Sequence, residues 1–137
     1  MADTKIRVPI NSDKDIVVAR QEGRTLAMSL GFSPGDATLL ATAISELARN
    51  IVAYANVGEI LLATTTVNGA ARLGMQVVAH DEGPGIADVQ QALRDGFSTS
   101  GGLGLGLPGV RRLVDEFQIV SDGTSGTTVT IRKWKPW

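Results

Sequence analysis

The fold of this chain is decided by Glu46-Leu47-Ala48-Arg49-Asn50 and by two later stretches, Asp81-Glu82-Gly83-Pro84-Gly85-Ile86 and Gly102-Leu103-Gly104-Leu105-Gly106-Leu107. They supply, in chain order, a carboxylate beside an amide, an acid before a glycine turn, and a glycine-rich loop that enters a helix. Each feature alone is a weak signal. Their order and separation together indicate a site for ATP and the transfer of its phosphate.

Size and composition exclude several classes of protein. A chain of 137 residues predicts one domain, residues 1–137, with a hydrophobic core of its own. The absence of cysteine excludes disulfides, thiolate metal sites and a cysteine nucleophile, and it fits a reducing compartment, so we expect a cytoplasmic protein. No apolar run reaches the roughly 18 residues of a membrane span, and a net charge of -1 disfavours nucleic acid as a partner.

Hydrophobic periodicity predicts the elements of the N-terminal half. Residues 5–10 alternate between apolar and polar positions, which is typical of a half-buried edge strand. Residues 13–30 and 34–55 carry apolar side chains at helical intervals and predict two helices. Ser33 is the expected cap of the second helix, whose wide apolar stripe should face a sheet.

The remaining elements define the fold class. Asn68-Gly69 between two β-rich runs predicts a hairpin. Strands are expected at 59–67 and 72–79, helices at 88–95 and 107–117, and strands at 118–121 and 127–134. Because the strands outnumber what one helix face can cover, we expect an α+β fold, a two-layer α/β sandwich with a mixed, mostly antiparallel sheet and helices on one face.

Glu46 and Asn50 lie four positions apart on the second predicted helix, so their side chains share one face. The Asn50 amide oxygen is a hard ligand of the kind that Mg²⁺ prefers, with phosphates and waters completing the coordination. The Glu46 carboxylate could accept the proton of an attacking hydroxyl. A solvated polar face, or a pair between Glu46 and Arg49, is the alternative that these residues alone leave open.

Asp81 ends an apolar strand and precedes glycines that allow a close backbone approach. A carboxylate here can accept a hydrogen bond from the exocyclic amine of adenine, whereas guanine carries a carbonyl oxygen at that position. Because an unsatisfied buried group costs roughly 1–3 kcal/mol, ATP should bind better than GTP. An ordinary turn is the alternative. Thr127 and Thr128 could place a hydroxyl near the base, although β-propensity also explains them.

The third stretch alternates glycine with leucine, at Gly102, Leu103, Gly104, Leu105 and Gly106. Its backbone N–H groups and the helix that follows form an anion site, and residues 96–101 predict a lid. No lysine or arginine lies between Asp95 and Val110. Magnesium and backbone donors must therefore meet the phosphate charge, unless Arg94 or Arg111 turns inward.

Other nucleotide-binding patterns fit less well. Residues 104–109 match G-x-G-x-x-G, but a polar loop precedes them, and Asp115 and Glu116 are predicted inside a helix instead of ending a second strand about 20 residues on. The P-loop and eukaryotic kinase motifs are missing. His80, the only histidine, is expected to have a structural or solvent role.

Taken together, these motifs resemble those of the GHKL ATPases, the family of gyrase, Hsp90, MutL and histidine kinases, over nearly the whole chain. The resemblance implies the Bergerat ATP-binding fold, with ATP and Mg²⁺ bound, Glu46 as catalytic base, Asn50 as magnesium ligand and Asp81 as adenine reader. The expected cofactor-binding residues are Asn50, Asp81, Gly83, Gly85, Ile86, Gly102, Leu103, Gly104, Leu105, Gly106 and Thr127.

Within that family the chain is most similar to stand-alone bacterial serine/threonine kinases of the anti-sigma-factor type, and among them to the RsbT-type switch kinases of the stressosome. The similarity is carried by residues 15–21, 45–50 and 98–104. It implies phosphorylation of STAS-domain proteins and, after release, activation of a PP2C-type phosphatase. A short lid without a basic residue disfavours the alternative of an anti-sigma factor, and a non-catalytic ATP-sensing binding module is the other alternative.

Overall fold

The computed structural model describes residues 5–67, 72–83, 106–121 and 126–136. Among them the elements are β1 (Lys5–Ile10), α1 (Asp13–Ser29), α2 (Pro34–Tyr54), β2 (Gly58–Val67), β3 (Arg72–Asp81), α3 (Gly106–Leu113), β4 (Glu116–Ser121) and β5 (Thr127–Trp134). The strands form one sheet in the order β1-β2-β3-β5-β4, and every pairing between them is antiparallel. This architecture confirms the predicted α+β class, with β1 at an edge of the sheet. Among the described strands the sheet is purely antiparallel and not mixed.

The core lies between the sheet and the helices. Alternate residues of the central strands are buried beneath α2, as the period of two predicts. From α2 itself, Leu40, Ile44, Leu47 and Ile51 pack into the same hydrophobic cluster. Removal of this apolar surface from water holds the two layers together. No helix in the described part of the chain combines the length and the apolarity that crossing a bilayer would require.

Local hydrogen bonds fix where the first two helices begin. The Asp15 carboxylate accepts hydrogen bonds from the backbone N–H groups of Asn11 and Ser12, at 2.7 and 3.2 Å. At the start of α2, Ser33 Oγ accepts a hydrogen bond from the Asp36 N–H at 3.1 Å. These contacts satisfy N–H groups that have no partner inside the helix, and the predicted cap at Ser33 is confirmed.

The prediction that the third long helix runs to Phe117 is wrong, because α3 ends at Leu113. The Asp115 N–H donates to the Arg132 carbonyl at 3.0 Å, and its carboxylate accepts from the Trp134 N–H at 2.7 Å. Glu116 pairs with Arg132 across the strands. Tertiary pairing with β5 thus overrides local helix propensity.

The same correction changes one reason for rejecting a dinucleotide-binding fold. Asp115 and Glu116 both lie outside the helix: Asp115 directly precedes β4 and Glu116 is its first residue. The rejection itself stands, because β4 joins β5 in an antiparallel pair, whereas the dinucleotide fold requires parallel strands.

Several predicted segments lie outside the described residues. They are the turn at Asn68-Gly69, the helix at 88–95 and the lid at 96–101. The flanking strands β2 and β3 do pair, from Gly58 with Asp81 to Val67 with Arg72, as the predicted hairpin requires.

We predict that Gly58→Ala destabilises the protein by about 1–3 kcal/mol, the usual penalty for overpacking a core. A Cβ at this position would lie 2.5 Å from the His80 carbonyl oxygen and 2.7 Å from Ile51 Cγ2. Gly35→Ala is the matched control, since a Cβ there meets only Ser33 Oγ, at 3.9 Å. Urea unfolding of both variants measures the difference, and equal midpoints would contradict the prediction.

Candidate active site

The C-terminal turns of α2 lie directly on the backbone where β2 begins and β3 ends. A Cβ at Gly83 would lie 2.6 Å from Ala55 Cβ, and one at Gly58 would lie 3.1 Å from Asp81 Cβ. The missing side chains let the acid-glycine turn approach the helix that carries Glu46 and Asn50. Tertiary packing therefore brings the helix that carries the first predicted motif against the second motif, at this end of the sheet.

Asp81 is the last residue of β3 and pairs with Gly58 on one side and Thr127 on the other. Its Oδ1 accepts a hydrogen bond from the Gly83 N–H at 3.0 Å, which orients the half-buried carboxylate. An ionised carboxylate can only accept hydrogen bonds. Asp81 therefore presents acceptor atoms, as an adenine reader must.

Thr127 and Thr128 lie on opposite faces of the sheet. Thr127 shares the helix-facing side with Asp81 and is 9% exposed. On the other face, Thr128 Oγ1 lies 2.8 Å from His80 Nδ1 in a hydrogen bond, which fits the structural role expected of that histidine. Of the two threonines, only Thr127 lies on the same face of the sheet as Asp81, where its hydroxyl could be near a bound base.

Gly126 makes this pairing of Thr127 with Asp81 possible. Its φ of +100° is unfavourable for residues with a side chain, and a Cβ there would collide with the Asp81 carbonyl oxygen. Gly126 is not among the site residues predicted from the sequence. A glycine directly before a β-rich run was the available signal.

The Glu46 side chain is almost completely buried, with 1% of its surface exposed. The alternative that it belongs to a solvated polar face is therefore wrong. It lines a cleft of about 590 Å³ between α1 and α2, together with Asp13, Arg20 and Ser45. A carboxylate that lines a cleft is a candidate for the general base predicted from the sequence, because an acceptor hydroxyl that enters the cleft could approach it.

Asn50 lies one helical turn beyond Glu46, and its Oδ1 atom is buried. This atom has no hydrogen-bond partner among the described residues. A buried acceptor that no described residue satisfies is open to a ligand, as the predicted magnesium role of Asn50 requires. The described residues hold no cluster of three or more histidine, cysteine or acidic side chains suited to a metal. A magnesium ion at Asn50 would thus need phosphate oxygens to complete its shell.

Of the predicted glycine stretch, the structure describes only the end. Gly106 begins α3 with a φ of 58°, and it is buried with Leu107 where α3 packs on α2. Arg111 is exposed and lines a separate cleft beside Glu116, so it is not turned inward toward the site. Outside the described residues lie Gly85, Ile86, Arg94, Gly102, Leu103, Gly104 and Leu105, whose roles stay predictions.

Comparison with known proteins agrees with these features. A family model described as the histidine kinase-like ATPase domain matches residues 11–133. The chain is also 50% identical, over 127 residues, to the serine/threonine-protein kinase RsbT of Bacillus subtilis (strain 168). That alignment covers 93% of this chain and 94% of the relative.

We predict that Asp81→Asn weakens ATP binding by at least about tenfold, because a hydrogen bond to a charged acceptor contributes about 1.5–3 kcal/mol. Glu82→Gln removes the same charge one residue further on, from an exposed position, and serves as the control. Titration calorimetry with ATP and GTP measures both. Wild-type affinity for ATP in the Asp81→Asn protein would exclude Asp81 as the adenine reader.

Proposed function

Because this chain belongs to the histidine kinase-like ATPase domain family and is a serine/threonine-protein kinase, we propose that its substrates are STAS-domain proteins. After release from them, it activates a PP2C-type phosphatase and so acts as a partner switch. Residues 1–137 function as one kinase domain, and the single hydrophobic cluster shared by the described helices and strands supports this. The observation that carries the proposal is the buried Glu46 carboxylate in a cleft, on the same helix face as Asn50.

In this mechanism, the γ-phosphate passes from ATP to a serine or threonine hydroxyl. Glu46 accepts the hydroxyl proton as the oxygen attacks phosphorus, and the bond from the γ-phosphorus to the bridging oxygen breaks to release ADP. Asn50 would hold Mg²⁺, and the bound ion would neutralise part of the phosphate charge. Asp81 binds the adenine amine, and the glycine stretch that ends at Gly106 donates backbone N–H groups to the phosphates.

The acceptor protein reaches Glu46 through the cleft between α1 and α2. Arg20 and Val17 of α1 line this cleft and are both exposed, Val17 at 44%. An exposed cation beside an exposed apolar side chain suits a partner surface that offers an acidic and an apolar group. The opening of the cleft is therefore the docking site for the STAS-domain partner.

We predict that Glu46→Gln lowers phosphate transfer to a STAS-domain protein by at least about 100-fold, as expected for loss of a general base. Affinity for ATP should stay close to wild type, because Glu46 acts on the acceptor hydroxyl. Glu22→Gln, on the exposed side of α1, is the control. Transfer of radiolabelled phosphate measures the rate, and a Glu46→Gln protein with wild-type transfer would refute the assignment.

We predict that Arg20→Glu raises the KM for the STAS-domain substrate at least about tenfold while leaving ATP affinity unchanged, because it places a like charge against an acidic partner. Arg24→Glu makes the same charge reversal one turn further along α1, at an exposed residue that does not line the cleft. Steady-state kinetics with varied substrate protein separate the two variants. An equal effect of both would show that general charge, and not this cleft, governs docking.

A further inference from the structure

We propose that Ser121 is a positioning residue for base selectivity, which holds the Thr127 hydroxyl as a hydrogen-bond acceptor beside Asp81. The inference rests on the proposed adenine site at Asp81. It adds a residue on a different strand, outside the glycine-rich motifs. Ser121 is the last residue of β4 and pairs directly with Thr127 on β5.

Two hydrogen bonds fix the direction of the hydroxyl groups. Ser121 Oγ donates to the Gly126 carbonyl oxygen at 3.1 Å, and Thr127 Oγ1 donates to Ser121 Oγ at 3.1 Å. A hydroxyl carries one hydrogen and two lone pairs, whereas a carbonyl oxygen can only accept. With the Ser121 hydrogen donated to the Gly126 carbonyl oxygen, the hydrogen between the two hydroxyls is the one that Thr127 donates.

The Thr127 oxygen then offers only lone pairs in its remaining directions. Thr127 pairs with Asp81 on β3, and the Cβ atoms of such directly opposed residues lie about 4.5–5.5 Å apart. Asp81 is itself an acceptor. Two adjacent acceptors match a group that carries two hydrogens, which is the 6-amino group of adenine, and both disfavour the 6-oxo group of guanine or hypoxanthine.

Loss of the Ser121 oxygen would release the Thr127 hydrogen. The threonine hydroxyl could then rotate and direct its hydrogen toward the base, where it opposes the adenine amine. Binding of the phosphates would be unaffected. Ser121 should therefore influence the preference for a 6-amino purine and leave the affinity for a purine without that group nearly unchanged.

The test compares ATP with purine riboside triphosphate, which lacks the 6-amino group, by calorimetry on the full chain. Ser121→Ala should weaken ATP about three- to tenfold, as for loss of one neutral hydrogen bond, and the analogue by less than about twofold. Ser121→Thr, which retains a hydroxyl, should keep the wild-type ratio of the two affinities. In a Thr127→Val background, Ser121→Ala should have no further effect on that ratio.

Equal weakening of both nucleotides by Ser121→Ala, or an unchanged ratio, would overturn the inference and leave Ser121 with a structural role. Ser121→Cys keeps the approximate size of the side chain but forms only weak hydrogen bonds. It is used in place of Ser121→Ala if thermal melting shows that the alanine variant is destabilised. Asp81→Asn separates the two proposals. If it also leaves the ratio unchanged, the adenine site itself is wrong; if it alters the ratio and Ser121→Ala does not, only the role of Ser121 fails.

Discussion

The contact on which the rest of the site depends is the packing of the last turns of α2 against bare backbone at the end of the sheet. Ala55 lies over Gly83 and Ile51 over Gly58, with no side chain from either glycine between them. Any larger residue would push the helix outward. Because Asn50 and Glu46 are rigidly attached to the same helix, that displacement would move both away from Asp81.

The distribution of buried polar groups also points to the site. Among the described residues, the only buried polar or charged ones are Glu46 and Thr127, and single side-chain atoms of Arg49 and Asn50 are buried as well. Glu46, Asn50 and Thr127 were identified from the sequence as parts of the site. A core that is otherwise apolar, with Leu47, Ile51 and Val77 fully enclosed, loses stability by holding such groups. Polar groups retained inside an apolar core are the expected signature of a functional site.

Local sequence signals were sufficient to predict the bounds of an element wherever residues within or next to that element determine where it ends. The predicted bounds of β1 and β5 agree with the structure because alternation continues to their ends, and those of α2 agree because Ser33 caps it. The signals failed where another strand competes. The segment after Leu113 has helix-like spacing, yet Asp115 and Glu116 bond to β5. The strand is favoured because these hydrogen bonds outweigh the local helix propensity.

The sequence alone determined the chemistry available to this protein: a carboxylate and an amide one helical turn apart, an acid before a glycine turn, and a glycine stretch that leads into a helix. Spacing along a single helix or strand is a local property, and the family resemblance followed from it. Only the tertiary structure separated Thr127 from Thr128, buried Glu46 in a cleft beside α1, and joined Ser121 to Thr127. These relations depend on sheet register and helix packing, which are formed between residues distant in sequence and are therefore not encoded in any one motif.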